Sequence, residues 1–399
     1  MVAAFRCPGP DPLGGPDPEV GGGGAGAAPS FGGNEGVGGQ DDCPNDDDVD
    51  DDQDGFIEGD CDDCDPDIHP DAAELGTLAG DEPVDENCNG MIDEHLECEP
   101  LEDGLGLPAV QAARAMDVCN PSDPAVWGLQ EARLTRFGGM TADTSNNVQM
   151  SVAKQFGTML GPQVGERMLV LSTGHAVDLS HPNACLGVTC GLDNSGSNAP
   201  SGFPVAPPGC ANTNALFDDI ALEVTVVAPP NAGGFRFHTL YLTHEYPMAV
   251  CSAFRDQFVA LVDPADPSWP NANVIFDEDG IPPSADFGWF PHCNPGTSSS
   301  WASFCGSNCP REAVPFCPDG FGLLMGTGFE PNPTYEVPGG GATGWLETTV
   351  PMDNGNDIIT IRFAIADTFD YTHDSTVLID GFTWTGHPDS GGFPVTAPQ

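Results

Sequence analysis

A block of acidic residues without basic partners is the feature that most constrains how this chain can fold. About 25 of the positions from Asp41 to Glu99 are Asp or Glu, and no Lys or Arg occurs between Arg6 and Arg114. Repulsion among so many carboxylates destabilises a compact state unless ions screen or neutralise them. We therefore expect this segment to fold around bound metal ions.

Two frames within the block have the spacing of an oxygen ladder for calcium. Residues 50–56 and, 35 positions later, residues 85–91 each place three oxygen-bearing side chains two residues apart, and a glycine follows. The glycine permits the sharp turn that wraps a chain around a cation, and a merely solvated acidic run, the alternative interpretation, does not explain its position. The candidate metal ligands are Asp50, Asp52, Asp54, Phe56, Glu58, Asp60, Asp62, Asp63, Asp65, Asp85, Asn87, Asn89, Met91, Asp93 and Glu94.

Neither frame has the ligand pattern of an EF-hand. The twelfth positions are Cys61 and Leu96 instead of a bidentate Glu, and neighbouring Pro and Gly residues disfavour flanking helices. Asp60, Asp62 or Glu97 would therefore have to complete the ligand shell.

The ligand types favour calcium over copper or zinc. His69 has no cluster of Met and His residues around it, whereas hard carboxylate and carbonyl oxygens select calcium. Cys61 and Cys64 have the spacing of half a zinc site or of a redox pair, but a second close Cys or His pair is missing, and the surrounding carboxylates raise a thiol pKa. We expect two or more calcium ions, no copper, and disulfide-bonded cysteines.

Cysteine usage and charge indicate an oxidising environment outside the cell. The chain has 15 Cys at scattered spacings, and its 61 Asp plus Glu against 10 Lys plus Arg give a formal net charge of -51. Nucleic acid and anionic membranes are poor partners for such a field, and no run approaches 18 apolar residues, so no membrane span is expected. The odd cysteine count leaves one thiol unpaired, and Cys7 is the expected one. Residues 1–7 lack the apolar region of a signal peptide, so we expect the true start to lie upstream.

Alternating apolar residues predict strands after Cys119. The alternation is clearest over residues 220–226, and it recurs over 235–241, 359–365 and 377–384. Clusters of Pro and Gly separate these segments, and totals of 51 Gly and 40 Pro disfavour a helical bundle. The sequence therefore predicts an all-β fold, namely an antiparallel β-sandwich that is jelly-roll-like.

Composition divides the chain into four segments. Residues 1–40 are rich in Gly and Pro and are expected to form a flexible tether, and residues 41–99 form the acidic metal-binding module. The β-sandwich domain is predicted at 100–386, with 387–399 as a tail. A short helix is expected near its start, where Pro108 precedes apolar residues at three- and four-residue spacing.

The order of short motifs across the acidic module is specific. After the first ladder come Gly59-Asp60-Cys61-Asp62-Asp63, Asp65-Pro66, Pro70-Asp71-Ala72-Ala73-Glu74 and Asn87-Cys88-Asn89-Gly90. From about residue 46 to 97 this order closely resembles the MopE-type metal-binding motif of secreted bacterial proteins. The resemblance implies a disulfide between Cys61 and Cys88 that staples the two ladders together. Cys64 is an addition to the usual motif and could pair with Cys43 or Cys98.

The larger domain also carries an ordered series of motifs. These are Leu171–Ala176, Leu240–Phe258, Gly340–Leu346, Ile361–Asp367 and Asp374–Asp380. Together, from about residue 105 to 384, they resemble the choice-of-anchor L domain of secreted bacterial proteins. The resemblance implies a location and an architecture, and it supplies no defined biochemical activity.

Enzyme motifs in the chain are incomplete. Asp389-Ser390-Gly391-Gly392 has the form of the serine loop of trypsin-like proteases, but it begins ten residues from the end of the sequence, so no strands follow to build a pocket. His244-Glu245 lacks the second His of a zincin helix. Asp367, Asp370 and Asp374 could hold a further calcium ion, although turn chemistry explains them about as well. We therefore predict that the protein is not an enzyme.

Binding is the preferred class of function. Loops from Cys185 to Cys210 and from Cys293 to Cys317 would present a contact surface held by disulfides. We expect a secreted or cell-surface calcium-binding protein that acts in adhesion or matrix binding, with an extracellular matrix, cell-surface or glycan ligand. The alternatives are a structural envelope component with no specific ligand and a glycan-binding, lectin-like or hydrolytic β-sandwich. Calcium would rigidify the acidic module in each case.

Overall fold

The computed structural model describes residues 50–94, 98, 102–120, 127–143, 147–190, 192, 197–294, 317–332, 339–353, 355–388 and 390–399. Predictions that concern the tether at 1–40, Cys7, Cys43, Glu97 and Asp389 lie outside these residues. The described part of the acidic module belongs to the same structural unit as the sandwich.

Antiparallel strands make up nearly all of the regular structure. In chain order they are β1 Gly104–Leu105, β2 Gly128–Thr135, β3 Met150–Ala153, β4 Met168–Ser172, β5 Ser197–Asn198, β6 Ala215–Val227, β7 Gly234–Thr243, β8 Gln257–Asp263, β9 His292–Cys293, β10 Gly341–Pro351, β11 Ile358–Thr368, β12 Ser375–Thr385 and β13 Val395–Pro398. One sheet has the order β1-β3-β4-β12-β7-β10-β13, with β9 paired to β10, and the other has the order β2-β6-β11-β8, with β5 paired to β6. The sheets pack as an antiparallel β-sandwich, which confirms the predicted fold class.

Each segment with clear alternation lies within a strand. Residues 220–226 are in β6, 235–241 in β7, 359–365 in β11 and 377–384 in β12. From β5 onward the chain passes repeatedly from one sheet to the other, so residues far apart in sequence meet at the ends of the sandwich.

The expected short helix is present, and the sandwich extends further than predicted. Helix α1 spans Ala109–Arg114 and follows Pro108, as expected. At the other end, β13 pairs with β10, and the hydroxyls of Thr348 and Thr396 are 3.0 Å apart. The segment 387–399 is therefore not simply a tail, and a four-residue edge strand with one buried Thr has no hydrophobic pattern that would have revealed it. Among the described helices, none has the length and apolar character that crossing a membrane requires.

Strand β6 shows that both faces of the sandwich sheets are covered. Leu222 and Val224 point into the main core between the sheets, where Phe237 and Phe363 meet edge to face at 5.2 Å. Ala221, on the opposite face, is buried in a second apolar cluster under the loops. Burial along β6 is therefore almost continuous, although the sequence alternates.

A buried ion pair joins three strands of the smaller sheet. The strand register places Glu223 of β6 opposite Arg133 of β2 and Arg362 of β11. The Nε atoms of both arginines donate to the Glu223 carboxylate at 2.7 Å. Glu223 is 2% exposed, so this carboxylate is neutralised inside the fold by two of the few basic residues in the chain.

Asp380 on β12 is buried without a basic partner. Its Oδ2 accepts hydrogen bonds from the backbone N–H groups of Gln163 and Val164, the latter at 3.0 Å, while Oδ1 has no hydrogen-bond partner within the described structure. Burial, with a smaller contribution from Asp117, raises the pKa of Asp380 to about 7. Folding therefore favours the protonated carboxyl group.

We expect Asp380→Asn to flatten the pH dependence of stability. Because the folded-state pKa is raised above the unfolded value, the stability associated with protonated Asp380 is complete below about pH 4 and is lost as the pH rises through about 7. Removing this titration should reduce the fall in unfolding free energy between pH 4 and 8 by roughly 2–4 kcal/mol. Urea unfolding across this pH range measures the effect. Asp81→Asn, at an exposed loop position, should leave the slope unchanged, and an equal slope for Asp380→Asn would contradict the assignment.

Candidate metal centres

The first calcium frame gathers three carboxylates around one point. Side-chain oxygens of Asp50, Asp52 and Asp54 all lie within 4.8 Å of one another. Oδ1 of Asp50 and Oδ2 of Asp52, Asp54 and Asp60 are shielded from solvent and have no hydrogen-bond partner among the described residues. The first frame therefore offers four carboxylate oxygens that no protein donor satisfies.

Local turns explain why one oxygen of each ladder residue remains free. Oδ1 of Asp52 accepts the backbone N–H of Asp54 at 3.0 Å, and Oδ1 of Asp54 accepts that of Phe56 at 2.7 Å. These Asx turns wrap the chain and hold the second oxygen of each carboxylate away from the backbone. At the last residue of the frame, the Phe56 ring stacks on the His69 ring, with 4.6 Å between the ring centroids.

Electrostatic repulsion within this frame is uncompensated. The pKa values of Asp52 and Asp60 are raised, first by desolvation and then by the neighbouring carboxylates, Asp54 among them in both cases. The described residues 50–94 contain no Lys or Arg that could offset this charge. A hard divalent cation is the group that would satisfy several carboxylate oxygens at once.

The second frame is arranged differently, because amide groups replace two carboxylates. Oδ1 atoms of Asn87 and Asn89 accept backbone N–H groups of Asn89 and Met91 at 3.1 Å and 2.8 Å, which repeats the turns of the first frame. Their amide nitrogens both donate to Glu94 Oε1, and Asp85 accepts the N–H groups of Asn89 and Gly90. Burial alone would raise the pKa of Glu94, but these amide hydrogen bonds outweigh it and lower the pKa. The second frame thus supplies hydrogen-bond donors to several of its own carboxylate oxygens and stabilises their charge.

Glu74 is a further candidate ligand that the sequence analysis did not include. Its Oε2 and that of Glu94 are shielded and have no hydrogen-bond partner in the described structure. Burial, followed by the charges of Glu94 and Glu86, raises the pKa of Glu74 to about 7. In the sequence, Glu74 is the last residue of the Pro-x-Ala-x-Glu motif. Its distance from residues 85–91 along the chain gives no indication that it lies beside the second frame.

Several of the other predicted ligands lie outside the two frames. Glu58, Asp62 and Asp65 are exposed and do not join the first cluster. The Asp93 carboxylate accepts the backbone N–H and the hydroxyl of Thr77 at 2.6 Å and 2.9 Å. Asp63 is buried beside the first frame, where its Oδ1 lies 3.5 Å from the Asp51 backbone nitrogen. Fewer of the predicted ligands therefore lie close to one another in the structure than the sequence predicted.

A disulfide and several hydrogen bonds fix the two frames relative to each other. Cys61 and Cys88 are bonded, as the resemblance implied, with their Cα atoms 5.6 Å apart. Cys64 is also disulfide-bonded, but the alternative that pairs it with Cys98 is wrong, because Cys98 is bonded to Cys119. The Cys98–Cys119 bridge connects the acidic module to the sandwich.

The acidic module docks on the sandwich through a narrow strip of backbone. Leu75 is part of the main core, and the Gly76 N–H donates to the Trp384 carbonyl at 2.7 Å. Asn231 and Arg236 donate to the carbonyls of Ala73 and Thr77 at 2.8 Å and 3.0 Å. A Cβ atom at residue 76 would lie 2.7 Å from the Thr383 methyl group, so this close approach requires glycine.

The described residues of the other motifs considered above make the following contacts. The His244 ring stacks on Phe329 at 4.5 Å, and its burial lowers the pKa to about 3. Asp370 accepts the N–H and hydroxyl of Thr372 at 3.0 Å, which is turn chemistry, and Asp374 accepts the Cys190 N–H at 2.8 Å. Asp367 is buried near the end of β11, close enough to Asp374 for that carboxylate to raise its pKa.

Comparison of the chain with protein-family models, with curated proteins and with solved structures finds no match. The resemblances to the MopE-type motif and to the choice-of-anchor L domain therefore stay predictions.

We expect the double substitution Asp52→Asn and Asp54→Asn to weaken calcium binding at least tenfold. The change replaces two of the four unsatisfied carboxylate oxygens of the first frame with neutral amides of the same shape. Isothermal titration of the full-length, disulfide-bonded protein with calcium measures the affinity and the number of sites.

The matched control is Asp71→Asn with Asp81→Asn, which removes the same charge from exposed positions of the same segment. This variant should bind calcium like the unmodified chain. Equal weakening by both double substitutions would mean that calcium only screens the acidic surface.

Proposed function

We propose that the protein is a secreted or cell-surface calcium-binding protein without catalytic activity, and that it acts in adhesion or matrix binding. Calcium in residues 50–94 would lock the acidic module onto the sandwich. The single observation that carries the calcium assignment is the set of four shielded, unpartnered carboxylate oxygens in the first frame.

A structural role for calcium follows from how the module is attached. Besides the Cys98–Cys119 bridge, the described polar contacts of the module with the sandwich are few, and they involve residues 73–77 and the Asp67 carbonyl. Burial of Leu75 in the main core contributes about 2 kcal/mol, which is small against the repulsion of the uncompensated carboxylates. Bound calcium would remove that repulsion and allow the docked arrangement to persist. Weak extracellular sites of this type fill at millimolar calcium.

The disulfides support a location in an oxidising compartment. Five bridges join described cysteines, and they connect Cys61–Cys88, Cys98–Cys119, Cys185–Cys190, Cys210–Cys251 and Cys293–Cys317. Disulfides of this number persist outside the reducing cytosol. The bridges therefore support the proposed location outside the cell or on its outer surface.

Exposed apolar side chains on braced loops support a contact function. Met159 and Met325 are exposed and adjacent, because the Thr158 N–H donates to the Met325 carbonyl at 2.9 Å. Leu186 is also exposed and lies in the loop closed by the Cys185–Cys190 bridge. Large apolar side chains on such loops are suited to binding another macromolecule.

Calcium should protect residues 50–94 from proteolysis by a Glu-specific serine protease, which needs no metal itself. We expect cleavage in this segment to be at least tenfold slower in about 2–5 mM calcium, a typical extracellular concentration, than in excess chelator. Calcium would order the segment, and the protease could then no longer reach its backbone. Mass spectrometry of the fragments locates the cuts. The Asp52→Asn and Asp54→Asn variant should lose this protection, and equal cleavage with and without calcium in the unmodified chain would contradict the proposal.

Ligand binding separates the proposed function from its alternatives. The immobilised full-length protein should bind matrix components or glycans in calcium and release them in chelator. Loss of matrix cohesion in a deletion strain, with no ligand detected, would favour a structural envelope component. Substrate turnover that is abolished by His244→Ala would favour a hydrolase.

A further inference from the structure

A second group of carboxylates is buried inside the sandwich, far along the chain from the acidic module. Glu245, Asp256 and Asp367 are 3%, 1% and 0% exposed. Glu245 follows the end of β7, Asp256 precedes β8, and Asp367 lies next to the end of β11. They do not belong to the two calcium frames. Of the three, only Asp367 was considered as a calcium ligand from the sequence, together with Asp370 and Asp374.

Sheet topology brings these strand ends together. Thr243 of β7 pairs with Ser375 of β12 in one sheet, and Ala366 of β11 pairs with Gln257 of β8 in the other. Ser375 links the sheets, because its hydroxyl donates to Asp256 Oδ2 at 2.6 Å. The group therefore sits between the two sheets at one end of the sandwich.

Asp367 is the least satisfied of the three. Both of its carboxylate oxygens are shielded from solvent and have no hydrogen-bond partner in the described structure, and the same is true of Asp256 Oδ1. The Asp256 and Asp367 carboxyl groups interact directly. The Thr173 hydroxyl is close to Asp367, but it donates to the Ser375 carbonyl at 3.4 Å.

Nearby donors are committed elsewhere. The Tyr241 hydroxyl donates to the Asp256 backbone carbonyl at 3.0 Å and not to a carboxylate. Arg255 is fully buried, but its Nε donates to Asp286 at 2.6 Å and its Nη2 to the carbonyls of Ala211 and Ser252. The Glu245 carboxylate accepts a hydrogen bond only from the Asp256 backbone N–H in the described structure. The cluster thus lacks a dedicated positive charge.

We propose that Glu245, Asp256 and Asp367 bind a divalent cation of the calcium type between the two sheets. Buried carboxylates are stable when they are paired or coordinate a metal. Calcium takes six to eight oxygen ligands in a flexible geometry that carboxylates and carbonyls can largely fill, whereas magnesium usually retains several waters and suits a wetter site. Desolvation and the mutual repulsion of these groups raise the pKa values of all three well above their usual range, in keeping with a missing cation.

The cation would add to the hydrogen bonds that already join the two sheets at this end of the sandwich. It would tie the end of β7, in one sheet, to the ends of β8 and β11, in the other. Full burial also predicts slow exchange, because release of the ion requires the strand ends to separate. The first-frame ion, by contrast, lies on an exposed loop and should exchange rapidly.

The test uses the full chain with Asp52→Asn and Asp54→Asn, so that the first frame no longer contributes. After unfolding in chelator and refolding in calcium with its disulfides intact, this chain should retain one slowly exchanging calcium ion by elemental analysis. Adding Asp367→Asn should remove that ion. Adding Asp380→Asn instead, which changes a buried aspartate outside the cluster, should leave it in place.

Terbium luminescence tests the location without altering a carboxylate. Terbium taken up by the same background chain should be sensitised by Tyr241, whose hydroxyl lies 3.0 Å from the Asp256 carbonyl, and Tyr241→Phe should remove most of the emission. Absence of any slowly exchanging ion would overturn the proposal and would indicate carboxyl groups that share protons. Retention of the ion by Asp367→Asn would overturn it as well. Because the first frame is removed throughout, failure here is distinct from failure of the proposed function.

Discussion

The shortage of basic side chains governs the electrostatics of this fold. Ten Lys plus Arg residues stand against 61 Asp plus Glu. Several of the basic residues pair with buried carboxylates: Arg133 and Arg362 with Glu223, Arg136 with Asp219, and Arg255 with Asp286. Every other buried carboxylate must be stabilised by hydrogen-bond donors, by a proton or by a bound cation. Which of the three stabilises a given carboxylate determines whether that part of the molecule responds to pH or to metal ions.

The structure shows the first two of these solutions. Side-chain amides donate to Oε1 of Glu94, and two backbone N–H groups donate to Oδ2 of Asp380, whose pKa is raised. In the first frame, one carboxylate oxygen of Asp52 and one of Asp54 accept a backbone N–H in a turn, and the other oxygen of each has no donor in the described structure. At the end of the sandwich, Asp367 has no donor for either oxygen. The two proposed cation sites correspond to these places, one on the docked module and one between the sheets. In the second frame, Glu74 and Glu94 each leave one shielded oxygen without a partner in the described structure.

The sequence revealed those features that depend on neighbouring residues. Period-two alternation located β6, β7, β11 and β12, and the Asp-x-Asp-x-Asp-Gly spacing located the first frame, because turns and strand faces are set locally. The contacts of Glu74, and the meeting of Asp256 with Asp367, depend on how distant segments pack. Strand β13 was missed because it is short and at the sheet edge. Docking of residues 73–77 was missed because the module was treated as an independent unit, although Leu75 is part of the sandwich core.

Clusters of shielded carboxylate oxygens without hydrogen-bond partners are the proposed positions of bound cations. Anomalous diffraction from crystals of the full-length protein, unfolded in chelator and refolded with terbium before crystallisation, tests this proposal most directly. One anomalous peak is expected among Asp50, Asp52, Asp54 and Asp60, and a second between Asp256 and Asp367. Ordered carboxylates with water or close carboxyl pairs at both positions, and no anomalous peak, would contradict it.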